Sequence, residues 1–246
     1  MLCLAFATTF ARAEDQAERI RVSFALAFGR VPSVSEIADA SKAGALSMAD
    51  LLARHRQQLE HDAATARATV VKACQDAFGR QPTDAEIADG AAGHHTYAEL
   101  MKQHIGWLKD HPSEYADVIG KAYQLLIRRA AYPEEIEYWK SRDTLPYALL
   151  VGCVENWGRR NSPGLMVTTG IPTISVNSRY LTTIAVSPAV AAEARVAAGL
   201  AVSDNPDLAS AAGLNLVGPG SGQIATVGHM YFAAVGGPEL QASAAR

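Results

Sequence analysis

No apolar run in this chain approaches the ~20 residues that a membrane-spanning helix requires. Nor does a basic excess mark it for nucleic acid, because 22 lysines and arginines face 25 aspartates and glutamates, for a formal charge of −3. Cysteine is scarce, at three residues. Of these, Cys3 lies in the N-terminal apolar stretch, which leaves Cys74 and Cys153. In an oxidising compartment the two could pair; otherwise they are buried thiols that behave as small hydrophobes. Spacing alone does not separate the two, since a bridge needs Cα atoms within about 7 Å.

Assembled catalytic signatures are also missing. Gly218-Pro219-Gly220-Ser221-Gly222 is neither a nucleophile elbow nor a phosphate loop. Asp204-Asn205-Pro206-Asp207 falls short of a calcium loop and reads as a solvated turn. His94 and His95 lie in a loop and His104 and His111 in the helix that follows, with His104 on its apolar face. A zinc site needs three or four converging ligands, and the set reads instead as a packed histidine and a polar loop. No metal and no cofactor is expected, and the chain is read as no enzyme.

What is present is apolar content. The 246 residues are 49% hydrophobic and 19% charged, enough for one large or two ordinary cores. Residues 2–10 form a short apolar stretch, and Ala11-Arg12-Ala13 then places small residues ahead of Glu14 in the manner of a secretory cleavage site. A basic segment before the apolar run is absent, so the signal is a weak one. Residues 1–13 are expected to be a signal peptide, and the protein to be secreted, periplasmic or on the cell surface.

The dominant feature is a repeat. Ala27-Phe28-Gly29-Arg30-Val31-Pro32-Ser33 with Glu36 returns fifty residues later as Ala77-Phe78-Gly79-Arg80-Gln81-Pro82-Thr83 with Glu86. A third, worn copy keeps Arg129 and Glu135 but has Arg128 in place of the glycine and moves its proline to Pro133. Ile20, Phe24, Ala27 and Phe28 fall at helical spacing, as do Val70, Cys74, Ala77 and Phe78. Gly29 and Gly79 suit the left-handed position after a helix, Pro32 and Pro82 prevent its continuation, and Ser33/Glu36 and Thr83/Glu86 are capping boxes that open the next one. The string is thus an instruction for turning a corner. Arg30, Arg80 and Arg129 are expected to cap carbonyls or pair within their own unit, and the third corner, without glycine, to be built differently.

A further helical segment completes each unit. Met48, Leu51, Leu52, His55 and Leu59 are matched by Tyr97, Leu100, Met101, His104 and Leu108, then by Tyr147, Leu150, Val151 and Val154. The fold class expected is mainly α: a three-unit helical repeat over residues 16–160, with units near 16–65, 66–115 and 116–160, and a small β-containing C-terminal tail. No unit has enough apolar surface to stand alone, so neighbours should pack together. Residues 161–202 read as a strand and an Ala-rich helix opened by Ser187-Pro188 and ended by Gly199. The Gly/Ala-rich residues 203–246 are open to three readings: a small β element, a surface-attachment tail or disorder.

The third copy, Tyr123-Gln124-Leu125-Leu126-Ile127-Arg128-Arg129 followed by Ile136-Glu137-Tyr138-Trp139, resembles a bacterial helical domain of unknown function with the pattern Y-x-x-L-x-G-R-x-P-D-x-x-G-x-x-Y-W. The first two copies are similar through Phe-Gly-Arg-x-Pro but have Asp39-Ala40 and Asp89-Gly90 at the Tyr-Trp position. That domain occurs in secreted and cell-surface proteins, often beside S-layer or calcium-binding repeats. Phycobilisome linker domains carry a loosely similar string, which implies scaffolding. Neither resemblance supplies a catalytic residue.

The leading expectation is therefore a non-enzymatic, exported structural or protein-interaction module of the bacterial envelope or cell surface, with a protein partner or a second copy as its ligand. The alternatives are a scaffold of a pigment or cofactor complex and an enzyme with an unrecognised site. Tyr138 and Trp139 are the candidate contact residues.

Overall fold

The computed structural model describes residues 16–161, 182–199, 202–203, 224–227 and 230–234. The expected signal peptide over 1–13, the expected turn at 204–207 and the glycine-rich stretch at 218–222 lie outside these residues.

The fold is mainly helical. Residues 16–28 form α1, followed by α2 (Val34–Ser41), α3 (Met48–His61), α4 (Ala63–Phe78), α5 (Asp84–Ala92), α6 (Tyr97–Asp110), α7 (Pro112–Ile127), α8 (Pro133–Lys140) and α9 (Tyr147–Asn161). Three kinds of helix alternate. The first of each set (α1, α4, α7) is long and deeply buried. The second (α2, α5, α8) is short, and among its members only Trp139 of α8 is buried. The third (α3, α6, α9) starts at the Met48, Tyr97 and Tyr147 positions and packs back on the first, as α6 does on α4 and α9 on α7.

Local chemistry accounts for these boundaries. Ser33, Ser47, Thr83 and Thr96 each accept the N–H three residues on, while the glutamate or aspartate at that place returns to the cap N–H. Each box satisfies two donors that a helix start leaves orphaned, at a gain of about 1 kcal/mol. Met48, Leu51, Leu52, His55 and Leu59 are all buried along one stripe of α3. Burying such a side chain fully is worth about 1.5–3 kcal/mol.

Contacts also run between successive sets. The corner after α1 lies on Tyr97 of α6, and the corner after α4 on Tyr147 of α9. Lys121 of α7 donates to the Phe78 carbonyl at 3.0 Å, placing a cation at the open end of α4. Tyr97 Oη donates to Asp76 Oδ2 at 2.5 Å, and Lys72 pairs with the same carboxylate at 2.7 Å.

The C-terminal segment returns to the start of the chain. Strand β1 (Thr182–Val186) leads through Ser187 into α10 (Pro188–Ala198), which ends at Gly199 with φ +60°. β2 (Val202–Ser203), β3 (Ile224–Val227) and β4 (Met230–Ala234) join β1 in a sheet of order β1-β4-β3-β2. β1 runs parallel to β4, with Thr182 opposite Met230, and the other pairs are antiparallel. α10 packs on α3 and β4. Arg19 of α1 forks onto Glu193 at 2.7 Å for both bonds, and the Ser187 N–H donates to Glu18 at 2.8 Å. This explains a feature that periodicity does not reveal: α1 is buried on more than its Ile20–Phe24–Phe28 face, and Val22, Ala25 and Leu26 are fully enclosed as well.

Candidate functional site

The three corners share a left-handed residue followed by an arginine–glutamate fork. After α1, Gly29 takes φ +68° and its N–H returns to the Ala25 carbonyl at 3.0 Å; after α4, Gly79 takes φ +62° and returns to Gln75 at 2.9 Å. The arginine that follows folds over the corner. Arg30 grips both Glu36 oxygens at 2.6 and 2.9 Å, Arg80 grips Glu86 at 2.6 and 2.9 Å, and Arg129 grips Glu135 at 2.7 and 2.7 Å. Each glutamate also accepts the N–H of the cap residue, Ser33, Thr83 or Tyr132, at 2.7–2.8 Å. One carboxylate thus closes a helix start and neutralises the preceding arginine. Pro32 is buried and Pro82 half-buried beneath this pair.

The electrostatics follow from the geometry. The Arg30 fork and the Ser33 donors outweigh partial burial and hold the Glu36 carboxyl down to about 2; Arg80 and Thr83 do the same for Glu86, also to about 2. Burial opposes the effect at Glu135, yet its Arg129 and Tyr132 hydrogen bonds still leave it below the ordinary carboxylate range. Pairing within the unit is observed for all three arginines. Arg80 and Arg129 also donate to the Gln81 and Ala130 carbonyls at 3.2 and 2.8 Å, each the residue that follows rather than the preceding helix end.

The third corner departs from expectation in its turn. Arg128 adopts φ +61°, ψ +24°, the same left-handed conformation as the two glycines. The left-handed turn is thus retained, while the helix start differs as expected: Pro133 takes the first turn of α8 where the other two corners have a Ser or Thr side-chain cap. The Arg129–Glu135 fork and the fixed start at Pro133 hold the backbone in place, and Arg128 bears the conformational cost that glycine avoids.

Beside each arginine lies a groove walled by all three helices of its set, and its filling varies. In the first set Phe24 occupies it, stacked edge-on with Phe28 at 5.4 Å and His55 at 4.6 Å. In the third, Tyr123 takes the same place and Trp139, from the Ala40/Gly90 position, donates its indole N–H to Tyr123 Oη at 3.2 Å. A cleft of about 180 Å³ remains outside these rings, bounded by Glu134, Tyr138 and Trp157. Trp139 is only 2% exposed and so belongs to the core, not to a contact surface; Tyr138 at 38% and Tyr132 at 53% are the rings that solvent reaches. In the second set the groove holds Cys74 and Gly90, and a cleft of about 330 Å³ opens there, bordered by His95, Gln103 and His104.

The histidines divide by environment. Burial, with Arg30 nearby, lowers His55 to about 4, and burial lowers His104 as well, so both rings are neutral at pH 7. His94 Nδ1 lies 3.2 Å from the Leu59 carbonyl. Among the described residues no group of three or more His, Cys, Asp or Glu is placed to hold a metal ion. Cys74 and Cys153 are both buried and are not bridged to each other. No helix among the described residues is long and apolar enough to cross a membrane.

Sequence reasoning grouped Trp157 with Tyr138 and Trp139 as aromatic contact candidates, and all three line the third groove. It did not find Tyr97 and Tyr147 as the rings that close on the corner glycines, nor Glu134 at the third groove. The Phe24/Cys74/Tyr123 variation was available in the aligned copies and would have flagged the grooves. No protein-family model, curated protein or solved structure matches this chain.

Proposed function

We propose that this protein is an exported, non-catalytic interaction module: a three-unit helical repeat with a small β-containing C-terminal part, which engages a protein partner or a second copy at the bacterial envelope. The observation that carries this reading is how the charged corner residues are used. Arg30, Arg80 and Arg129 are each consumed by a glutamate of their own unit, so the repeated motif serves architecture, and a site that recurs in every unit is rarely catalytic. The half-exposed Tyr132 and Tyr138 beside the third groove supply amphipathic rings of the kind enriched where proteins meet. The resemblance of the third unit to a helical domain of secreted and surface proteins points the same way.

The test is a photo-crosslinking phenylalanine analogue placed at Tyr138 in the full chain, expressed in its source cell. A discrete adduct that disappears on Tyr132→Ala supports the reading. A chain that yields no adduct and sediments as a lone monomer overturns it. A purified protein that absorbs visible light would instead favour the pigment-scaffold alternative.

A further inference from the structure

From the groove of the middle set we infer that this protein binds a small, free, single-ring aromatic compound there, with the ligand's ring occupying the place that the chain's own rings fill in the other two sets. Two independent observations converge on this. The first is volume: Phe24 occupies the groove in the first set, Tyr123 with Trp139 reduce it to about 180 Å³ in the third, and Cys74 and Gly90 leave about 330 Å³ in the second. Apolar cavities of about 150 Å³ already accept benzene. The floor, Val70, Cys74, Phe78 and Leu100, is apolar and 3–6% exposed.

The second observation is the ring contact that each corner arginine makes. Arg30 stands 5.2 Å from the Phe24 centroid as well as 5.7 Å from Phe28. Arg129 likewise stands 5.5 Å from Tyr123. Arg80 keeps the Phe78 contact at 5.3 Å, but the residue at the second ring position is Cys74. An aromatic ring seated at the Cys74 position would meet the Glu86-paired Arg80 as Phe24 and Tyr123 meet their Glu-paired arginines, an attraction that a saturated body of the same shape lacks. The edge of His104, already T-stacked on Phe78 at 4.9 Å, supplies the facing wall. Glu86, Asp89 and Gln103 also line the cleft, so a ligand carrying one polar substituent would find polar partners there. This site is separate from the third-unit surface and does not depend on the partner reading above.

The probes are 4-cresol and 4-methylcyclohexanol, titrated into the full chain and followed by ligand-observed NMR and by melting temperature. Cresol is expected to bind and raise the melting temperature, and to bind roughly threefold or more tighter than the saturated analogue. Cys74→Phe, which rebuilds the first-set filling, should weaken cresol about tenfold or more while keeping a cooperative melt. Cys74→Ala should bind at least as well as the parent. Should Cys74→Phe fail to fold, Cys74→Leu places a smaller group at the same spot and should give a partial loss. A parent protein that takes up no cresol, or a folded Cys74→Phe that binds it undiminished, overturns the site. Equal binding of the saturated analogue overturns the assignment of an aromatic ligand.

Discussion

A β-carbon added to Gly79 would stand 2.8 Å from the ring of Tyr147, a residue 68 positions further along the chain and in the next set of helices. Gly29 stands in the same relation to Tyr97, at 2.6 Å. These glycines thus do two things: they turn the chain, and they admit the neighbouring tyrosine to the corner.

Gly79→Ala should accordingly cost more than its left-handed backbone alone, which accounts for about 1–2 kcal/mol. The methyl group also collides with the Tyr147 ring, bringing the total to roughly 2–4 kcal/mol. Urea unfolding of Gly79→Ala, Tyr147→Ala and the double variant measures the share due to the ring, because the double variant should be less destabilised than the sum of the two singles. Strict additivity would show that the ring contact is inconsequential. His95→Ala should stay within about 0.5 kcal/mol of the parent.

Arg128 carries a side chain where the other corners have glycine, and it does so at φ +61°. Arg128→Gly should therefore stabilise the protein by about 1 kcal/mol in a thermal or urea melt, through relief of left-handed strain. The Arg129–Glu135 pair should survive unchanged. A destabilised Arg128→Gly would mean that the arginine side chain makes a contact worth more than the strain.

Ser23 Oγ donates to the Ile20 carbonyl at 2.9 Å and lies 3.0 Å from His55 Nε2. A hydroxyl has one hydrogen, already directed at Ile20, so His55 must donate from Nε2. At the matching place in the second set stands Ala73, and His104 Nε2 is buried without a hydrogen-bond partner among the described residues. Ala73→Ser should supply that partner and raise stability by about 1 kcal/mol. His104→Leu should cancel the gain; a gain that persists in the double variant would refute the pairing.

Stability should fall in acid in two stages. His55 titrates near 4 when folded and at its ordinary 6.5 when unfolded. The unfolded chain therefore binds the proton first, and stability declines as pH drops from 6.5 towards 4, by up to about 3 kcal/mol. Glu36 and Glu86 titrate near 2 when folded. Their contribution is whole above the unfolded carboxylate range and is lost between about 4.3 and 2. Melting temperatures across pH 2–8 should show both limbs, with His55→Leu flattening the upper and the paired Glu36→Gln, Glu86→Gln variant flattening the lower. An upper limb unchanged in His55→Leu would assign it to another group.

The helical class, the corners and their caps could be read from the sequence because each rests on contacts within about seven residues. Glycine, arginine, proline and the capping pair lie close enough along the chain for local sterics and hydrogen bonding to set their geometry. The stripe Met48–Leu51–Leu52–His55–Leu59 was legible for the same reason. At the third corner the helix start at Pro133 was legible, but the left-handed turn at Arg128 was not, because a strong local ion pair can hold a non-glycine residue in that region. That is a matter of competing energies, and residue type alone does not reveal it.

The tertiary structure decided the rest. Nothing near Gly79 in the chain announces Tyr147, and nothing near Arg19 announces Glu193, 174 residues on. The placement of Trp139 in the core, the enclosure of Leu26, and the difference between a filled groove at Phe24 and an open one at Cys74 all depend on how helices distant in sequence close on one another. Packing sums contributions from every wall of a cavity, whereas a sequence motif records only one of them.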